Sequence, residues 1–127
     1  GHNGSISSLV INNDNQLISG SFDNTIKIWN IEDGQVIRTL NEHTNWIYSL
    51  VINSNNELIS GSGDWTIKIW NMKTGQLIRT LTGHTGDVNT LVIDKENELI
   101  SGSDDGTIKI WNMKTGEIKR SLIGNNY

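Results

Sequence analysis

The chain has no cysteine, no proline, no run of basic residues and no apolar stretch long enough for a membrane span. Without cysteine there are no disulfides, thiolate metal centres or thiol nucleophiles. That leaves the redox compartment open, although small secreted domains usually lean on disulfides. Ten lysines and arginines are scattered under a net charge of −4, which argues against general affinity for phosphate backbones, so no nucleic-acid partner is expected. No apolar segment approaches the roughly 18 residues of a span, and no charged-then-apolar leader is visible. No membrane partner is expected, and a soluble, cytoplasmic protein is the expectation. The apolar fraction, 35%, and the charged fraction, 19%, are both low for a globular protein. Asparagine, serine, threonine and glycine fill the difference, a composition suited to short strands and tight turns. The 127 residues are enough for one modest domain with a core.

What is present is a repeat. His2, His43 and His84 recur every 41 residues, as do Asp23, Asp64 and Asp105, Trp29, Trp70 and Trp111, and Gly34, Gly75 and Gly116. The units run 1–41, 42–82 and 83–123, without linker or insertion, followed by a short tail at 124–127. Repetition of this kind decides the organisation before any local reading does.

Each unit reads as four strands. In the second copy, Trp46–Asn53 is a β-branched and aromatic run closed by the polar turn Ser54-Asn55-Asn56. Leu58–Ser62 follows, then a tight turn around Gly63-Asp64. Thr66–Met72 alternates with period two, Ile67 and Ile69 on one face and Lys68 and Trp70 on the other. Lys73-Thr74-Gly75 turns the chain into Gln76–Leu81. Turn residues every 8–12 positions between such runs predict an antiparallel meander, and no 11-residue window carries a helical stripe. The fold class is all-β. The first strand of each unit, with Leu50, Val51 and Ile52 in the second, is apolar on both faces and so expected to be buried on both. The last carries Arg38, Arg79 or Lys119-Arg120, as an outer strand does.

A Gly-His pair as at Gly83-His84, a Ser-Gly-Ser-x-Asp turn and a tryptophan six residues after the aspartate, at this period, resemble the WD-repeat β-propeller family over the whole chain. Two departures stand out. The family's Trp-Asp is Trp-Asn here (Trp29-Asn30, Trp70-Asn71, Trp111-Asn112), and the first turns (Asn12–Gln16, Ser54–Glu57, Lys95–Glu98) lack the usual Ser-Pro-Asp-Gly. Those turns are expected to be looser than the family's average.

A histidine, an aspartate and serines in every unit invite a hydrolase reading, for instance His43, Asp64 and Ser60 or Ser62. The resemblance implies a structural alternative: a hydrogen-bonded chain from the aspartate through the histidine to a strand serine and the tryptophan indole. Its members are Asp23, His2, Ser19 and Trp29; Asp64, His43, Ser60 and Trp70; Asp105, His84, Ser101 and Trp111. Buried indole and imidazole groups both need partners, and such a chain supplies them together. An active site is needed once, a structural clip in every blade, so the structural reading is preferred. The first serine of each Ser-Gly-Ser is favoured because it lies nearer the tryptophan. Histidines a blade apart offer no shared metal site, and no catalytic residue, metal or cofactor is expected.

The resemblance also implies a partner face where inner strands begin and second turns project. The positions are Ser5, Trp46 and Asp87; Ser7, Tyr48 and Asn89; and Phe22, Gly63 and Asp104, with Trp65 just past the turn aspartate. They differ between copies while the framework does not, and they set an aromatic patch beside an acidic one. A protein or peptide segment with an apolar or cationic side chain is the expected partner; the alternative is that Trp46 and Tyr48 fill a channel or a blade interface.

A propeller ring has typically four to eight blades, and three cannot close. Open apolar flanks self-associate, so closure is expected from further copies, head to tail. Two copies make six blades at about 60° each and three make nine at about 40°. The homotrimer is favoured over the homodimer because bulky Trp46 and Tyr48 near the axis suit a wider channel. A fragment of a longer propeller is the remaining possibility, kept open by the near-match of Leu122–Asn125 to the start of another repeat. The expected function is a non-catalytic interaction scaffold. The alternative is a purely structural or engineered self-assembling fragment with no partner of its own, and third comes a small-ligand or enzymatic site in the channel.

Overall fold

Period-two alternation of isoleucine with polar or aromatic residues gives each strand two faces of different destination, and the structure assigns both. The computed structural model describes residues 1–124; the tail beyond Gly124, including the Asn125 of the near-match, lies outside the described residues. Among the described residues no helix is long and apolar enough to cross a membrane. Three four-stranded antiparallel sheets form in chain order. Blade one holds β1 (Ile6–Ile11), β2 (Gln16–Ser21), β3 (Ile26–Asn30) and β4 (Val36–Leu40). Blade two holds β5 (Ile47–Ile52), β6 (Leu58–Ser62), β7 (Ile67–Trp70) and β8 (Leu77–Leu81). Blade three holds β9 (Val88–Ile93), β10 (Leu99–Ser103), β11 (Thr107–Trp111) and β12 (Ile118–Ile123).

The first turns are closed, not loose. Asn12 Oδ1 accepts the backbone N–H of Asp14 and Gln16, both at 3.0 Å, and Asn53 and Asp94 do the same for the turns that follow them. Asn15, Asn56 and Asn97 take left-handed φ of 59°, 59° and 61°, which asparagine tolerates. An Asx turn thus replaces the proline that these loops lack. The carboxylates of Asp94, Glu96 and Glu98 gather at the third of these turns, but Asp94 is closing the turn and Glu98 is paired with Lys119.

The core lies between blades rather than within one. At the seam of blades one and two, Ile18, Ile26, Ile28 and Leu40 meet Ile47, Leu50, Leu58 and Trp70. Moved on by one repeat, Ile59, Ile67, Ile69 and Leu81 meet Val88, Leu91, Leu99 and Trp111. Ile67 and Ile69 therefore face blade three while Trp70 faces blade one, as the alternation requires. Polar links recur with the same period. Arg38 Nη2 donates to the Lys73 carbonyl at 2.7 Å and Arg79 Nη1 to the Thr115 carbonyl at 3.3 Å. The N–H of Asn13 donates to Asn56 Oδ1 and that of Ser54 to Asn97 Oδ1.

Burial on both faces of the inner strand holds only for β5. In β1, Leu9 is 57% and Ile11 58% exposed, and in β9 Val92 is 51% exposed. These residues face outward from the first and third blades, where no fourth blade lies against them.

Close approach of the next blade explains the glycine of the first two Ser-Gly-Ser segments, and close approach of Thr90 in its own sheet explains Gly102. A Cβ on Gly20 would stand 2.5 Å from Ile47 Cγ2, and one on Gly61 3.0 Å from both Val88 Cγ1 and the Val88 carbonyl oxygen. Gly20→Ala and Gly61→Ala are each expected to lower stability by about 1–3 kcal/mol through overpacking of a seam, measured as a drop in the urea midpoint at unchanged m-value.

Candidate functional site

Each blade carries one buried polar chain of the same geometry. Trp29, Trp70 and Trp111 donate Nε1–H to Ser19, Ser60 and Ser101 at 2.8, 2.9 and 2.8 Å. Those hydroxyls lie 2.6, 2.7 and 2.7 Å from Nε2 of His2, His43 and His84. Nδ1 of the same histidines lies 2.9, 2.7 and 2.8 Å from Asp23, Asp64 and Asp105. With the indole using an oxygen lone pair, the serine O–H is left to donate to Nε2, and Nδ1–H donates to the carboxylate. The first serine of each Ser-Gly-Ser is the one in the chain; the second (Ser21, Ser62, Ser103) accepts the aspartate's own backbone N–H.

This order of groups is that of a serine hydrolase, and burial separates the two roles. All three serines are at most 1% exposed, and each oxygen is already engaged by an indole above and an imidazole beside it. A nucleophile must reach its substrate; these hydroxyls are walled in and act as junctions of a clip joining the segment before the inner strand, the second strand, the turn after it and the third strand.

Burial pushes the three aspartate carboxyls upward, but the hydrogen bonds that they accept outweigh it. The Thr25 hydroxyl and the N–H groups of Asn3 and Thr25, with His2, hold Asp23 well below the usual carboxylate range. His43 and Thr66 do so for Asp64, and Thr107, the Thr85 N–H and His84 for Asp105.

At the open end of the blades lies a second, unlike set of side chains. The β1–β2, β5–β6 and β9–β10 pairings each slip by one residue, at Ser7, Tyr48 and Asn89. A bulge re-aims its extra side chain; Ser7 and Tyr48 turn towards the next blade, and Asn89 stays on its own. Ser7 Oγ donates to the Ile47 carbonyl of the next blade. The Tyr48 hydroxyl donates to Asp87 of the next blade at 2.9 Å. Asn89 Nδ2 donates to Asp104 of its own blade at 2.6 Å. Phe22 of blade one stacks on Trp46 of blade two with centroids 4.1 Å apart and planes at 12°, and Tyr48 meets the pair edge-on at 5.7 and 6.3 Å. Burial, the bond to Asp87 and the charges of Asp87 and Asp104 push the Tyr48 hydroxyl's pKa up. The aromatic and acidic patches are thus joined through Tyr48.

The remaining expected face positions divide. Ser5 is exposed and its carbonyl accepts the Phe22 N–H at 2.8 Å. Gly63 is buried, donates to the Trp46 carbonyl, and would bring a Cβ within 2.9 Å of Asn45 Oδ1. It supports the face without presenting a side chain. Trp46 and Trp65 are 44% and 49% exposed. Sequence reasoning missed the arginine clamps and the left-handed backbone at Trp65, φ 76°. A signal for the latter existed: Asn24 and Gly106, two residues that tolerate that region, occupy the same column.

The sign of the aspartate effect is fixed. Each carboxyl's value is depressed on folding, so its contribution is present above its unfolded value, near 3.8, and is lost as pH falls below it. Asp64→Asn is expected to destabilise the chain at about pH 6, with the difference from wild type shrinking towards about pH 2.5, as read from urea unfolding at the two pH values.

Comparison with known proteins agrees with this geometry. The family model "WD domain, G-beta repeat" matches residues 1–30, 34–71 and 75–112. A Lissencephaly-1 homolog of Caenorhabditis briggsae is 58% identical over 31 residues, 24% of this chain and 8% of that protein. The structure of U3-55K superposes with a TM-score of 0.91 at 28% identity, over 99% of this chain and 41% of that one. The crystal structure of RRP9 WD40 repeats does so with the same figures. The chain therefore spans under half the length of these solved chains and under a tenth of the curated relative. Three matched repeats, three four-stranded blades and three Asp–His–Ser–Trp clips place the chain in the WD-repeat family.

Proposed function

We propose that this chain is a non-catalytic protein- or peptide-binding scaffold, and that copies of it pack head to tail into a closed propeller. WD repeats typically mediate protein–protein interaction, and the joined aromatic and acidic patches at the open end of the blades are the surface on which this chain would do so. The observation that carries the assembly is the make-up of the two open flanks. Blade three turns outward Val92, Ile100, Ile108, Ile110 and Leu122, which repeat residue for residue the Val51, Ile59, Ile67, Ile69 and Leu81 that blade two presents to blade three. Blade one turns outward Ile6, Leu9, Ile11, Leu17 and Trp29, the same types as Ile47, Leu50, Ile52, Leu58 and Trp70 at the first seam.

The polar links repeat as well, with one change. Arg120 stands where Arg38 and Arg79 clamp the next blade's turn, and the turn that it would meet on another copy carries Glu32-Asp33 in place of Lys73-Thr74 or Lys114-Thr115. The third blade's cation thus finds two carboxylates at the join between copies, where the seams inside the chain offer a lysine and a threonine. This favours another copy's first blade over a random apolar surface. Trp46 stacks on Phe22 of blade one and Tyr48 bonds to Asp87 of blade three; the blade-to-blade angle decides between three copies and two.

A ring with no partner of its own is the second reading. It draws on Ser7 and Tyr48, whose polar atoms are both engaged by neighbouring blades.

In sedimentation velocity at low salt, wild type is expected as one assembled species and Arg120→Glu as a mixture shifted towards monomer, because the new carboxylate faces Glu32 and Asp33. Identical profiles for the two would remove the clamp from the account. For the binding face, Trp46→Ala forfeits a stacked pair worth about 0.5–1.5 kcal/mol. The variant should stay folded in a thermal melt; outright unfolding would make Trp46 a core residue and not a contact.

A further inference from the structure

Among the described residues, Trp65 is the one bulky side chain on a left-handed backbone. Its φ of 76° lies in the left-handed region, disfavoured by any Cβ and most by a bulky residue. The turn does not require it. Trp65 N–H donates to the Ser62 carbonyl at 3.2 Å, as Asn24 does to Ser21 at 3.3 Å and Gly106 to Ser103 at 3.2 Å. The shape is imposed by the aspartate before it, which accepts the N–H and hydroxyl of Thr66 at 2.9 and 2.6 Å, with equivalent bonds in the other two blades. Three different residues thus occupy one turn geometry, and blade two alone fills it with an indole, half of which is exposed. Burial does not account for a strained tryptophan whose ring is half in water; strain retained at an exposed position points to contact with something else.

The surroundings indicate what. Trp46, also exposed, immediately precedes the inner strand of the same blade, and Asp87 and Asp104 of blade three adjoin it through Tyr48. Asp87 accepts one hydrogen bond from Tyr48 and Asp104 one from Asn89, which leaves each carboxylate with lone pairs to spare. No lysine or arginine stands at any of the face positions. We infer that Trp65 is kept as a partner contact, and that with Trp46 and the carboxylates of Asp87 and Asp104 it receives an arginine or lysine side chain of a peptide segment. This rests on the reading of this face as the docking surface. Indole faces attract a cation through their quadrupole, and the carboxylates supply the charge-assisted hydrogen bonds that a planar guanidinium or an ammonium group needs.

The test uses the indole N–H resonances of the whole chain. Trp29, Trp70 and Trp111 donate theirs to buried serines and serve as internal references. The probes are short glycine-serine peptides with a central arginine, norleucine or glutamate. The arginine peptide is expected to move the Trp46 and Trp65 signals and leave the other three in place, and the glutamate peptide to move none. Trp65→Asn, which installs the blade-one residue, should weaken arginine-peptide binding about tenfold while raising Tm by about 3–6 °C as strain is relieved. Unchanged binding in Trp65→Asn, or a lowered Tm, would overturn the role of Trp65 while leaving the face intact. Equal shifts from norleucine and arginine would overturn the cationic partner. Silence of both indoles towards every peptide would take the docking face down as well.

Discussion

A four-stranded antiparallel sheet with isoleucines on one face and leucines and a tryptophan on the other cannot stand in water alone. Everything else in this chain follows from that constraint. Blade two hides one face behind blade one and the other behind blade three, while blades one and three each have one face covered and one open, so the unit of stability is the seam and not the blade. Ile18, Ile26 and Ile28 have no partners of their own; Leu50, Leu58 and Trp70 of the next repeat complete them. The glycines at the centre of the first two Ser-Gly-Ser segments, Gly20 and Gly61, stand where the seam is too close for a methyl group. The arginines of β4 and β8 stand on the outer strands and also act as bolts across a seam.

The buried polar clip serves the same end. A tryptophan large enough to fill a seam brings an indole N–H that must be satisfied, and the serine, histidine and aspartate carry that need step by step to the rim of the blade. Three groups with catalytic chemistry, the serine, histidine and aspartate, are thereby committed to structure. The exposed positions are left free to vary, and it is there that blade one differs from two and two from three.

Much of this was legible in residue order. The 41-residue period and the twelve strands follow from spacing, and the members of the clip from the family resemblance, because each is set by contacts within one repeat. What stayed hidden depends on contacts between repeats or on backbone angles. The stacking of Phe22 on Trp46 joins residues of different blades, and the one-residue slip that aims Tyr48 at Asp87 leaves no mark in a hydrophobic pattern. The first turns were misjudged for want of proline, although Asn12, Asn53 and Asp94 held the Asx signal in plain view. Burial of both faces of β1 and β9 was expected from their composition; Leu9 and Val92 show that composition states what a strand requires, while a neighbour must provide it.

The central claim is that the open flanks of one chain are the two halves of a further seam. Light scattering coupled to gel filtration tests it most directly. The account predicts a single species whose mass is an integral multiple, two or three, of the 14.2 kDa chain. A monodisperse monomer, or an unbounded ladder of masses, would contradict it and assign those flanks to blades of a longer propeller.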